Sequence, residues 1–487
     1  MWDVGNSVFR FYFGKSNTAE AAPPAENFGE YIFLRDQQTP ICHAIDGDKE
    51  ILLFGYATDV SADDSAPAIE QLMQAKTIDA LLEKERSLGG KYLVFARFDQ
   101  QYYVLPDATS SIPLFYRFED GFCCSSDPVQ VAVGLIPNDV LQAIRRAGDI
   151  SQAMPCDVTV YSEIRQLLPN HYLSLKERKA IRIVQQPQTL PALSAEEAAE
   201  ETLPRLRRLT RFYAQQFPLY CPLTGGRDSR VVLALLMEIN PQIACYTMRH
   251  PEHNGAEPDL TVPAEIAKAF SLPHCQIQDV AVTEEAHRRL DVIIGEDAYS
   301  ERTLRLALTV FAHCGDSAVV NGDIIGQIGK CSLHRDIPDI FATSGYFRCK
   351  LHNYSRDAKH LLREWLKEIN ACGETVSPFD LFSVENRLGR WAAQENTVYN
   401  AVGQRYINLF NSRSIIYTWT RVSRGQRKDA AIHTALLRRL CPELANMAYE
   451  SDGLMARIAK SNGLFYWASS YLKYGLEKAK FIFERGK

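Results

Sequence analysis

Pro222-Leu223-Thr224-Gly225-Gly226-Arg227-Asp228-Ser229-Arg230 is the stretch on which the reading of the chain turns. Leu219 to Leu223 is a short apolar run that reads as a strand, and Ser229 to Ile239 has the apolar density of a buried helix. Two adjacent glycines between them permit a tight turn and let backbone N–H groups approach an anion. The N-terminus of the following helix adds partial positive charge. Thr224 and Ser229 can donate hydroxyl hydrogen bonds to phosphate oxygens, and Asp228 can hold a magnesium ion that bridges them. The GxxxxGK(S/T) phosphate loop has a different spacing. The plain alternative is a strand–turn–helix in which Gly supplies geometry and Asp or Ser caps the helix.

Working outward, Ile243 to Met248 reads as a strand, Pro263 to Phe270 as a helix and Ser317 to Val320 as another buried strand. This alternation implies a parallel sheet covered on both faces. Beyond about residue 350 the pattern is mostly helical. The first 180 residues or so are β-rich: Tyr92 to Ala96, Tyr102 to Leu105, Leu114 to Tyr116, His171 to Leu175 and Ile181 to Val184 are β-formers between polar turns. Gln185 to Pro191 reads as a linker. Ser194 opens a helix with Glu197 completing a capping box, and Pro204 is expected to kink or restart it. Two domains follow, 1–190 and 191–487.

Composition narrows the classes. With 487 residues, 46% apolar and 23% charged, the chain is ordinary globular protein rather than disordered, collagen-like or coiled-coil. The 54 basic and 59 acidic residues leave a net charge of −5, which argues against nucleic acid as a partner. No apolar run reaches transmembrane length, and Met1-Trp2-Asp3 does not begin a secretory signal. Twelve cysteines without a CxxC pair suggest reduced thiols and a cytoplasmic protein.

The loop Thr224 to Ser229 resembles the SGGxDS pyrophosphate loop of the N-type ATP pyrophosphatases, and within them the asparagine synthetase family. Further stretches follow in that family's order. Glu257-Pro258-Asp259 with Ala264, Ala267, Leu272 and His274 is similar to its "D…A..vA..lg..H". Val319-Val320-Asn321-Gly322-Asp323 is similar to "VLSGEGADE", and Arg424 to Lys428 with Leu436 to Leu444 is similar to a late "K..LR…lLP..l" helix. In the N-terminal half, Gly90 to Ala96, Asp107 and Pro113 to Tyr116 resemble "G.yafal…RD..G..PLYY", and Thr159 to Leu173 resembles "T.f.gI..l.PGhyl". The resemblance implies an α+β, degenerate N-terminal-nucleophile glutaminase-like sandwich, followed by an α/β, adenine-nucleotide α-hydrolase-like ATP pyrophosphatase domain. It also implies ATP and Mg2+ as cofactors, with Asp228 as metal ligand. Leu223, Thr224, Gly225, Gly226, Asp228, Ser229, Met248, Asn321 and Gly322 would form the nucleotide site. Asp323 would be the catalytic acid/base and Lys428 the lysine that stabilises charge in the second step.

The sequence departs from that pattern twice. Residue 2 is Trp where the family has its nucleophilic Cys, and an indole cannot replace a thiolate, so glutamine hydrolysis is expected to be absent. In a gapless register, Gly326 and Gln327 stand where the family has Asp-Glu; a register slid by three would make Asp323 the metal ligand instead. The implied activity is an ATP-dependent amide ligase that adenylates a small-molecule or peptide carboxylate and passes it to an amine other than ammonia released from glutamine. The alternatives are an asparagine synthase, or a nucleotide-binding scaffold without catalysis.

Other features carry less. His250 and His253 flank Pro251-Glu252, but no third ligand accompanies them. Cys123-Cys124 reads as buried thiol, Arg424 and Arg427 are candidate pyrophosphate contacts, and Arg227 and Arg230 keep the loop electropositive. Leu464 to Phe483 mixes Phe465, Tyr466, Trp467, Tyr471, Phe481 and Phe483 with Lys473, Lys478 and Lys480. Such a helix packs on its own domain or meets a membrane surface or partner.

Overall fold

The computed structural model describes residues 7–15, 25–61, 67–148, 154–186, 189–249, 257–295, 298–449 and 461–485. Trp2, His250, Pro251, Glu252 and His253 lie outside them. The protein is a mixed α/β structure with three sheets.

Among the described residues, twelve strands precede residue 183. They are β1 (Phe11–Gly14), β2 (Ala25–Phe28), β3 (Tyr31–Arg35), β4 (Ile41–Asp46), β5 (Lys49–Asp59), β6 (Leu88–Phe98), β7 (Gln101–Pro106), β8 (Phe115–Arg117), β9 (Cys123–Ser125), β10 (Arg165–Gln166), β11 (His171–Ser174) and β12 (Lys179–Arg182). Two six-stranded antiparallel sheets result, in the orders β10-β8-β9-β1-β3-β2 and β12-β11-β7-β6-β5-β4. Alternate residues of facing strands fill the space between sheets with aromatic rings. Phe11 lies 5.6 Å from Phe54, Phe13 4.9 Å from Phe95 and Phe33 5.0 Å from Phe95, centroid to centroid. Cys123 and Cys124 are buried, and burial pushes both thiols up.

The third sheet is parallel: β13 (Leu219–Pro222), β14 (Ala244–Arg249), β15 (His274–Gln278), β16 (Ala318–Asn321) and β17 (Arg405–Asn408), in the order β15-β14-β13-β16-β17. Period-two alternation assigns its faces. Cys221, Cys245, Val320 and Ile407 join one core with the helices Asp228–Met237 and Ala431–Leu440. Tyr246, Ile277 and Val319 join another with the helices Glu284–Ile294, Glu301–Cys314 and Ala393–Val402. The chain leaves β13 toward β14 and β15, then returns to the opposite flank for β16 and β17. Strand order therefore reverses between β13 and β16, and ligands bind such sheets in the crevice beyond the strands' carboxyl ends at that point.

Two elements differ from expectation. Pro204 does not restart its helix, which runs unbroken over Ala195–Gln216 after the Ser194–Glu197 capping box; buried Ala199, Leu203, Leu206 and Leu209 hold it in place. The mostly helical last third also contributes β17, which completes the sheet edge.

Sandwich and parallel sheet meet through buried polar groups. Arg413 Nε donates to Glu85 Oε2 at 2.7 Å, and its Nη1 donates to Asn170 Oδ1 at 3.1 Å. Arg182 grips Glu385 with both terminal nitrogens, at 2.6 and 3.1 Å. Such pairs hold orientation because removing one partner strands the other charge.

Candidate functional site

The loop after β13 is organised by its own hydroxyls. Ser229 Oγ accepts from Thr224 N–H at 3.2 Å and lies 3.0 Å from Thr224 Oγ1, which in turn accepts from Gly226 N–H at 3.3 Å. No side chain caps the helix that starts at Asp228, so its first N–H groups keep their positive end turned to the crevice. Leu223 is committed to the sheet: its N–H donates to Tyr246 O at 2.8 Å and its carbonyl accepts from Thr247 Oγ1 at 2.8 Å. Met248 stands half-buried near the end of β14.

Across the reversal, the turn after β16 lies directly against the loop. A Cβ on Gly322 would come 3.2 Å from Asp228 Cβ, and one on Gly326 would come 2.8 Å from Asp228 Oδ2. Gly322 and Gly326 thus lie against Asp228. Asn321 Oδ1 accepts from Asp323 N–H at 3.1 Å, while its Nδ2 donates to Ile407 O at 3.1 Å, fixing the turn to β17. Ile325–Gly329 then forms a π-helical turn, an irregularity that accumulates at functional sites.

Asp228 is the centre of the arrangement. Its Oδ1 meets His433 Nε2 at 2.7 Å; the imidazole is fully buried while the Asp228 side chain is about 35% exposed. Burial alone would raise the Asp228 pKa, but His433, with Lys330 and Arg227, more than offsets it and holds the carboxyl below the usual range. His433 is presented by the helix Ala431–Leu440, which begins after Ala430 at φ 58°, a left-handed conformation uncommon for a non-glycine residue. That corner also turns Asp429 O toward Arg227, which donates to it at 3.1 Å.

A second group of charges surrounds Asp323. Burial pushes its pKa up to about 6; Arg387 opposes this and Asp228 adds to it. Glu395 is pushed up to about 8, chiefly by burial and then by Asp323, against Arg387 and Arg302. Two carboxyls with pKa values driven apart are an arrangement that can hold one proton near neutral pH. Asp323 also lines a small cavity of about 30 Å3 with Lys91, Asn396 and Asn408. Lys91 is buried, donates to Asn400 Oδ1 at 3.0 Å, and has its pKa lowered to about 7 by burial, against Asp107.

Several expected contacts go elsewhere. Lys428 gives its ammonium to Asp336 Oδ2 at 2.5 Å and to Ser461 O at 3.4 Å; Lys330 is the lysine whose charge acts on Asp228. Arg427 is buried and forks onto Asp380 at 3.0 and 2.6 Å, and Arg424 pairs with Asp339. Arg230 donates to Gly225 O at 3.4 Å and to Met447 O at 3.0 Å and lies 4.0 Å from the Tyr449 ring centroid, so it ties the glycine turn to the residues around 447. No group of three or more potential metal ligands occurs among the described residues. Asp228 is ionised and keeps Oδ2 clear of His433, which suits Mg2+, an ion that takes one or two carboxylates together with substrate phosphates.

Reading the sequence missed His433, Lys330, Arg387 and Glu395. His433 lies five residues after Lys428 in a stretch already singled out; Glu395 sits in a helix with no motif to mark it. The C-terminal helix Gly463–Arg485 packs part of its surface on its own domain and leaves the rest exposed. Tyr466, Trp467 and Tyr471 pack inward, whereas Phe465, Leu472, Leu476 and Phe483 are exposed. No helix among the described residues is long and apolar enough to cross a membrane.

No protein-family model matches the chain, and no curated protein matches it. Among solved structures, it matches a glutamine phosphoribosylpyrophosphate amidotransferase from B. subtilis complexed with ADP and GMP. Identity is 10% and the TM-score 0.24, over 65% of this chain and 69% of that one. A structure described as the allosteric regulatory enzyme of purine biosynthesis matches at 9% identity and a TM-score of 0.24, over 65% and 68%. The functional reading therefore rests on the geometry of the site.

Proposed function

We propose that this chain binds ATP in the crevice between β13 and β16 and uses it to adenylate a carboxylate, which an amine then captures as an amide. The observation that carries the reading is the convergence of the Thr224–Ser229 loop and the Gly322–Asp323 turn on an ionised Asp228 at the sheet's reversal point. Backbone N–H groups of the loop would hold the pyrophosphate portion, with Arg227 and Lys330 adding positive charge. Asp228 would hold Mg2+ with the phosphates, and the ion would offset their charge. In the first step a carboxylate oxygen attacks the α-phosphorus and pyrophosphate leaves. In the second, the amine attacks the acyl carbon, AMP leaves with the former carboxylate oxygen, and the amine proton passes to the Asp323–Glu395 pair. Positioning supplies much of the rate in such reactions. In this reading residues 1–190 are a glutaminase-like scaffold and residues 191–487 the ATP pyrophosphatase domain.

One observation favours a second reading, a nucleotide-binding scaffold without turnover. Gly326 and Gln327 supply no carboxylate beside Asp228, and His433 occupies one of its oxygens. Calorimetry of Mg2+–ATP binding to the wild type and to Asp228→Asn, followed by a screen of carboxylates for AMP release, separates the readings. Binding weakened about tenfold or more by the substitution is expected. Binding without AMP release under any carboxylate and amine favours the scaffold, and no binding to folded wild type refutes both.

A further inference from the structure

The helix Gly463–Arg485 is turned the opposite way from an ordinary surface helix. Its hydroxyl-bearing and aromatic side faces the domain. Tyr474 is buried and its hydroxyl donates to Asn353 O at 2.9 Å; Lys350 Nζ donates to Ser470 Oγ at 2.9 Å; Trp467 lies 5.1 Å from Phe341, centroid to centroid. Its aliphatic side faces water. Leu472 and Leu476 are 69% and 66% exposed, and Leu464, Phe465 and Ile482 are exposed with them. At about 100° per residue these five fall within an arc of about 120° away from Tyr474, and they extend ~27 Å along the helix. Ile340, 84% exposed, adds an apolar side chain beside the first turns, next to the Phe341 that packs on Trp467. Apolar surface this continuous marks a site of interaction.

The charge on this face has one sign. Among its described exposed positions lysine is the only charged type, and none carries a hydroxyl or amide side chain. Glu477 is half-buried, meeting His352 Nδ1 at 2.9 Å and Lys473 at 3.6 Å. Over the whole helix Lys473, Lys478, Lys480 and Arg485 stand against Glu477 and Glu484, a net charge of +2 in a chain whose total is −5. A surface ion pair leaves that net charge unchanged, and a charged surface within a Debye length responds to the net charge.

We propose that this face seats the protein on a bilayer containing anionic phospholipid, with Phe465, Leu472 and Leu476 at the boundary of headgroups and acyl chains and the lysines among the headgroups. The helix lies on the surface; it is not apolar enough to cross. A second copy of the chain would bring the same positive stretch against itself. A protein partner is recognised through packed pockets and a hydrogen-bonding rim, which a helix stripe of leucine, phenylalanine, alanine and glycine does not offer, whereas hydrocarbon accepts such a stripe without matching it.

Flotation of the full chain with vesicles of phosphatidylcholine, alone or with about 30% phosphatidylglycerol, tests the inference. At ~1 mM lipid most of the protein is expected on the anionic vesicles and about a tenth or less on the neutral ones, and about 0.5 M salt should weaken the binding several-fold. Leu472→Ser with Leu476→Ser should weaken it about tenfold or more while leaving the melting temperature and Mg2+–ATP binding unchanged; Phe465→Ser is the second variant should that pair not fold. Lys473→Gln with Lys478→Gln should weaken binding to the anionic vesicles alone. No vesicle binding, equal binding to both compositions, or binding undiminished by the serine pair overturns the proposal. So does a dimer in sedimentation equilibrium that the serine pair dissociates, which would make a second copy the occupant. Binding to polyglutamate but not to vesicles would likewise overturn it, in favour of an acidic protein surface.

Discussion

Glu395→Gln should make the protein more stable at alkaline pH and leave it nearly unchanged in mild acid. The Glu395 carboxyl is raised from an ordinary 4.5 to about 8, by burial first and by Asp323 second. A carboxyl with a raised folded-state pKa holds its proton longer folded than unfolded, so unfolding releases protons between the two values. Stability is then greatest below pH 4.5, falls as pH rises, and has lost the full amount above pH 8. At 1.36 kcal/mol per tenfold change in proton affinity, the full loss is ~5 kcal/mol, and water reaching the half-buried pair reduces it to roughly 2–5 kcal/mol. For 487 residues, an unfolding entropy near 2.1 cal/mol/K per residue converts this to ~2–5 °C in melting temperature. Thermal melts of wild type and variant at half-unit steps from pH 5 to 8.5 read the difference. The curves should converge near pH 5 and separate upward, with the variant more stable at pH 8.5. Asp323→Asn supplies the control for coupling: without that neighbouring charge, the wild-type Glu395 limb should move to lower pH. Parallel curves, or a variant that loses stability as pH rises, would refute the raised pKa of Glu395.

Three further outcomes are expected. Gly326→Ala places a Cβ 2.8 Å from Asp228 Oδ2; calorimetry should record about tenfold or greater loss of Mg2+–ATP affinity with an unchanged far-UV spectrum, and unaltered affinity would contradict the contact. His433→Gln removes the main group holding the Asp228 pKa down, so burial prevails and the pKa rises. The acid limit of Mg2+–pyrophosphate binding should therefore move to higher pH, and an unmoved limit would show that Asp228 is not the group that titrates. At the junction, Arg413→Met alone should cost about 3–5 kcal/mol by stranding buried Glu85, and Arg413→Met with Glu85→Leu should recover much of it in thermal melts.

What the sequence made legible follows from where its signals are local. The strand, glycine turn and helix around residue 225 are contiguous, and the β-α-β rhythm recurs through β16 because both faces of that sheet demand apolar residues. β17 escapes this logic: Arg405-Tyr406-Ile407-Asn408 is short, lies at the sheet edge, and has polar residues at both ends. Pro204 misleads because propensity is a weak prior, and four buried apolar residues on one helix face outweigh one missing backbone donor. The charge partners are illegible for a different reason. His433 is 205 positions from Asp228, and no local pattern reports a contact made by folding the last helices over the crevice.

The departure at Gly326 is coherent once the atoms are placed. In the gapless register this position lacks the carboxylate that the resemblance implies, which taken alone reads as loss of chemistry. Yet the space a side chain would need is already filled by the Asp228 carboxylate, only 2.8 Å from where a Cβ would stand. A second carboxylate there would collide with the first and repel it. Glycine at 326 and histidine at 433 are therefore one solution: the glycine admits Asp228 and the histidine keeps it ionised despite burial. A crevice that had merely decayed would have no reason to keep a fully buried imidazole on that one oxygen. An ionised carboxylate held beside a glycine turn and a helix N-terminus is the charge arrangement that the proposed magnesium–phosphate site requires.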